Sequence, residues 1–135
     1  SISRQFLRNI PGKGLIPLKE GEQLTLGERI MIRIKVSTPH TMNYVQVQDL
    51  FPSCFDIMAN MSEYRHYQNL WAYIIPRDNT MNFFIDYLPK GISFMDYEVK
   101  VEKTGTFSKG MIKAYSIYAP EYGAIHGGGM ILSAP

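Results

Sequence analysis

Residues 82–122 read NFFIDYLPKGISFMDYEVKVEKTGTFSKGMIKAYSIYAPEY. Aromatic and β-branched side chains gather here into short runs, and Leu88-Pro89-Lys90-Gly91 and Thr104-Gly105-Thr106-Phe107 punctuate them with turn chemistry. Tyr97, Val99 and Val101 hold one parity while Glu98, Lys100 and Glu102 hold the other. That period of two belongs to a strand with one buried and one wetted face. Further strands are predicted at 70–75, 81–87, 94–102, 110–118 and 130–133.

The same pattern extends toward the N-terminus. Ile30, Ile32, Ile34 and Val36 alternate with Met31, Arg33 and Lys35, and Val45 and Val47 point inward from the run Tyr44-Val45-Gln46-Val47-Gln48. Thr38 to Thr41, Pro11 to Gly14 and Lys19 to Glu22 read as turns, and Gly127-Gly128-Gly129 as a bend before the last strand. Residues 2–10 are expected to pair at a sheet edge. Residues 55–67 lack sustained periodicity and read as a long inter-strand loop with one helical turn. Many short strands with little helix predict an all-β fold, two packed antiparallel sheets in an immunoglobulin-like sandwich of seven or more strands. The Cys-Trp-Cys signature of true immunoglobulin domains is missing, so the core must be built on Tyr, Phe, Ile and Met.

The 135 residues suit one domain spanning 1–135, with 45% hydrophobic and 19% charged residues, the balance of a chain that folds. A net charge of +2 without a basic run argues against nucleic acid. No apolar run approaches the roughly 20 residues of a membrane-spanning helix. Neither a signal peptide nor an initiator Met opens the sequence, which reads as a segment cut from a longer chain. A single cysteine, Cys54, excludes an internal disulfide.

No motif points to catalysis. Pro52-Ser53-Cys54-Phe55 matches no nucleophile motif, and a lone Cys is by default a buried one. His40, His66 and His126 share no metal-ligand spacing, and Asp49, Asp56, Asp78, Asp86 and Asp96 are scattered without carboxylate-pair or calcium-loop spacing. The glycine triplet lacks the residues of a phosphate loop. No cofactor, metal or enzymatic activity is expected. Aromatics are the remaining lead: nine Tyr, seven Phe and one Trp make up 13% of the chain. Most belong to packing, but Tyr115 and Tyr118 are at odd spacing and cannot both face the core. Tyr118 and Tyr122, around Ala119-Pro120-Glu121, are candidates for an amphipathic contact surface.

The order Asn82 to Asp86, Leu88 to Gly91, Tyr97 to Val101, Gly105-Thr106-Phe107 and Tyr118-Ala119-Pro120-Glu121-Tyr122 resembles the last macroglobulin-like domain of bacterial alpha-2-macroglobulins. Gly27-Glu28-Arg29 before the alternating strand, and Tyr44-Val45 to Asp49-Leu50 leading to Phe55, resemble its opening hairpin. The resemblance implies a macroglobulin-like β-sandwich at the C-terminus of a very large cell-envelope protein, periplasmic or membrane-anchored, that traps proteases. Its partners would be the other domains of the parent chain and, through the whole protein, target proteases. In thioester-bearing relatives, aromatic residues of this domain cover the thioester of another domain, and Tyr118 and Tyr122 occupy the matching places. This chain carries no thioester motif itself, since Cys54 is followed by Phe55-Asp56-Ile57 without a Gln. The alternative is an immunoglobulin-like module that binds a carbohydrate or a partner protein at the cell envelope through exposed tyrosines.

Overall fold

A computed structural model describes residues 1–58, 61–116 and 124–135, with the backbone alone at 124–126. Among them lie fourteen strands and no helix: β1 (Ile2–Ile10), β2 (Gly14–Pro17), β3 (Gln23–Thr25), β4 (Arg29–Thr38), β5 (Met42–Leu50), β6 (Phe55–Ile57), β7 (Glu63–Tyr67), β8 (Leu70–Arg77), β9 (Thr80–Leu88), β10 (Gly91–Val101), β11 (Gly105–Ser108), β12 (Met111–Ser116), β13 (Ala124–Gly127) and β14 (Met130–Ala134). A five-stranded sheet, in the order β2-β1-β4-β10-β6, packs against a six-stranded sheet in the order β13-β12-β5-β9-β8-β7. A small third sheet, β11-β14-β3, clasps one end.

Alternation explains which face each strand buries. In β4, Ile30, Ile32, Ile34 and Val36 are buried while their neighbours are wetter, and β10 buries Met95, Tyr97, Val99 and Val101 opposite them. Antiparallel register sets Tyr97 against Ile32 and Val99 against Ile30. From the six-stranded sheet come Val45, Val47, Ile74, Met81, Phe83, Ile85 and Ile112. Phe83 and Tyr97 meet across the two sheets with ring centroids 5.9 Å apart. Residues at i and i+2 thus reach one core from both layers, as aligned sandwich packing requires.

Three expectations change. Residues 2–10 are an edge only in part: the turn after Ile10 brings β2 back to pair with Leu7 to Ile10, while Ile2 to Phe6 pair with β4 alone among the described strands. Residues 55–67 are not a loop: β6 pairs with β10 and β7 with β8, so two short segments complete opposite sheets. Thr104-Gly105-Thr106-Phe107 is not a turn either, since Gly105 to Ser108 pair with β14. The antiparallel rule holds elsewhere but breaks at β14 and β3, which run parallel with Ser133 opposite Leu24. The other turns lie where expected, including Leu88 to Gly91, where Gly91 takes φ +103°.

One glycine is required by close approach. Gly110, at φ +73°, enters β12 so near the end of β5 that an added Cβ would lie 1.8 Å from the Leu50 carbonyl oxygen. A side chain there is excluded both by backbone conformation and by space.

Candidate functional site

The sequence candidates separate into buried, exposed and undescribed groups. Tyr118 and Tyr122 lie outside the described residues, as does the side chain of His126. Of the described residues that flank them in sequence, β12 ends at Ser116, and its antiparallel partner β13 begins at Ala124, which pairs with Ala114. At the end of β12, Tyr115 lies on the outer face and donates its hydroxyl to Gln46 Oε1 at 2.7 Å, while Ser116 is buried and donates to the Asn43 carbonyl at 3.4 Å. Beside Ser116 opens a cleft of about 240 Å³, mostly apolar, walled by Val36, Pro39, Met42, Val45, Leu88 and Ala114. At the end of β12, apolar surface therefore meets solvent.

Cys54 is a core residue. It is fully buried, burial pushes its thiol up to about 11, and its carbonyl accepts from the amides of Glu102 and Lys103. A thiol held neutral and enclosed is a poor nucleophile at neutral pH. His66 packs against Trp71 at a tilt of 42°, with ring centroids 4.7 Å apart. No three potential metal ligands converge among the described residues.

The strongest polar arrangement was not singled out from the sequence. Arg4 on β1 forms a buried ion pair through Nη1 with Asp49 Oδ1 on β5, and its Nη2 donates to the Lys109 carbonyl. Tyr97 on β10 donates its hydroxyl to Asp49 Oδ2 at 2.7 Å. The Arg4 guanidinium also lies 5.2 Å from the centre of the Phe6 ring. Burial pushes Asp49 up to about 6, and the Arg4 charge and the Tyr97 hydroxyl pull it back; burial and the Asp49 charge together raise Tyr97 well above the usual phenol range. Both carboxylate oxygens are satisfied, as a buried charge requires. The cluster fastens the two sheets, joining β1 and β10 to β5. A signal existed for it: Asp49 follows Val45 and Val47 at the inward parity, and Arg4 sits between the inward Ile2 and Phe6.

Comparison with known proteins bears on what such a sandwich belongs to. The model of the bacterial alpha-2-macroglobulin MG10 domain matches residues 1–121. No curated protein matches the chain by sequence. Among solved structures, Salmonella alpha-2-macroglobulin reacted with methylamine superposes with a TM-score of 0.78 at 21% identity, over 99% of this chain and 9% of that one. Trypsin-activated alpha-2-macroglobulin from Escherichia coli gives 0.78 at 16% identity, over 99% of this chain and 10% of its own. Native Escherichia coli alpha-2-macroglobulin spanning domain MG7 to the C-terminus gives 0.76 at 16% identity, covering 100% of this chain and 23% of that chain. The chain thus spans a tenth to a quarter of the length of these structures, each identity being low enough to speak for the fold alone. It is the match of the domain model across almost every residue that assigns descent: this chain belongs to the MG10 domain family of the bacterial alpha-2-macroglobulins.

Proposed function

We propose that this domain is a non-catalytic contact module near the C-terminus of an extracytoplasmic, protease-trapping chain, and that Tyr118 and Tyr122 cover a thioester held in another domain. The observation that carries this reading is the MG10 match, which runs through Tyr118 and stops one residue short of Tyr122. The alignment with a fragment running from MG7 to the C-terminus, and with a form activated by trypsin, supports the position in the chain and the protease partner. A reactive ester survives only where water is excluded. Two tyrosines, each able to bury roughly 150–250 Å², are enough to cap a single bond. An interface with two discrete arrangements would then release the cap when the parent chain is cleaved.

The test uses the parent protein. Thiol release during storage in buffer is followed in the wild type and in Tyr118→Ala and Tyr122→Ala. Faster release in both variants, with the thioester formed normally at the outset, supports the shielding role. Equal rates in all three proteins refute it, and a parent chain without a thioester leaves only the scaffold role. The 135-residue domain alone is expected neither to inhibit nor to cleave a protease, and an inhibition assay with trypsin checks this.

A further inference from the structure

The outer face of the six-stranded sheet carries an aromatic array that the shielding role does not use. Register sets Tyr64 opposite Tyr73, Tyr73 opposite Phe84, Phe84 opposite Gln46 and Gln46 opposite Tyr115, one row across five strands. In the adjoining row His66 faces Trp71. The exposed rings are held in place: His66 packs against Trp71, and Tyr73 meets Tyr64 edge-on with centroids 4.7 Å apart. Trp71 is 61% exposed, Tyr64 68% and Tyr87 59%. Between them lies a shallow cleft of about 200 Å³ lined by Tyr64, Asn69, Trp71, Phe84, Asp86 and Tyr87.

Three properties of this cleft select a ligand. The rings offer flat apolar faces carrying negative partial charge, which attract C–H groups stacked on them. Their polar tips are unused: among the described residues, Trp71 Nε1, the Tyr64 and Tyr87 hydroxyls and the Asp86 carboxylate make no side-chain hydrogen bond or ion pair. Asn69 is anchored by donating through Nδ2 to Ser93 Oγ at 2.9 Å, which leaves its amide oxygen as an acceptor. The volume falls below the roughly 300–1,000 Å³ of sites for drug-sized ligands, and so suits one ring. We propose that the cleft binds a carbohydrate, one pyranose of a polysaccharide stacking its C–H face on Trp71 while its hydroxyls bond Asp86 and Asn69. A protein partner is the poorer fit, because an interface core is dry and depleted of charge. Here a carboxylate and free donors stand among the rings. The proposal makes no use of Tyr118 or Tyr122 and stands or falls independently of the shielding role.

Trp71 is the single tryptophan of the chain, so its emission reports the cleft directly. The 135-residue chain is titrated with chitotriose and with maltotriose while Trp71 fluorescence and amide and indole N–H shifts are recorded. A saturable change with at least one of them, with shifts confined to the cleft, is expected. Trp71→Ala, read by NMR, and Asp86→Ala should weaken it about tenfold or more, with melting temperatures held near wild type as proof of folding. Absence of a saturable response to either sugar at millimolar concentration, or shifts scattered away from the cleft, overturns the proposal. So does protection of Trp71 from oxidative footprinting, read at its own peptide by mass spectrometry in the intact parent protein, because a neighbouring domain would then occupy the face.

Discussion

The two faces of the six-stranded sheet carry aromatics of similar size to opposite ends. On the inner face, Phe83 is fully buried and packs on Tyr67 and Tyr97 with centroids 6.4 and 5.9 Å away. One residue on, Phe84 points outward into the row with Tyr73 and Tyr64. Neighbours in sequence thus serve different purposes, and strand parity alone decides which. Inner rings stabilise the domain through area removed from water; outer rings retain wet surface that only a ligand or partner can cover. Polar groups follow the same division. Inside, each oxygen of Asp49 has a donor, whereas outside Asp86 has none among the described residues.

Substitutions break or sharpen this contrast in graded fashion. Phe83→Ala should cost about 3–5 kcal/mol of stability by leaving a cavity between the sheets, measured by urea unfolding. Asp49→Ala should cost about 3–5 kcal/mol at neutral pH by stranding the Arg4 charge. The double change Arg4→Met with Asp49→Leu should recover most of that loss, and failure to recover it would assign the cost to packing instead of charge. The pH profile adds a signature. Asp49 is held up to about 6 against an ordinary 3.8, so the folded state binds this proton more tightly than the unfolded chain. The stability linked to this proton is full below 3.8 and is lost as pH rises through about 6; Asp49→Asn should flatten that segment of the melting profile.

Tyr97→Phe removes one donor to Asp49 and should cost about 1–3 kcal/mol, with little change in the packing against Phe83. Trp71→Ala closes the series: on the outer face it should shift stability by no more than about 0.5 kcal/mol. A loss comparable to that of Phe83→Ala would mean that the outer rings are structural and would erase the contrast between the faces.

Much of this was legible because alternation is local. Ile30 to Val36 and Tyr97 to Val101 announce their faces within one strand, and both are buried as read. The buried ion pair is not visible in the spacing of carboxylates, by which Asp49 was weighed; the inward parity of Asp49 and of Arg4 carries the information. Residues 55–67 were misread because Phe55–Ile57 and Glu63–Tyr67 are three and five residues long, and what makes them strands is a partner far away in sequence. The clasp of β11, β14 and β3 is invisible for the same reason. The aromatic row on the outer face needs register between five strands, which no single stretch contains. Of the candidate site, Tyr118 and Tyr122 stand out by their aromatic spacing, and the shielding role comes from resemblance to a family.

The close approach at Gly110 has a mechanical meaning. At this point the backbones of β5 and β12 touch without a side chain between them, and the preceding carbonyl, that of Lys109, is gripped by Arg4 from the opposite sheet. A load arriving along β12 is therefore taken up at its root, by backbone contact and by charge together. Because β12 is also bonded to β5 from Met111 to Ser116, such a load spreads into the six-stranded sheet along the strand's length.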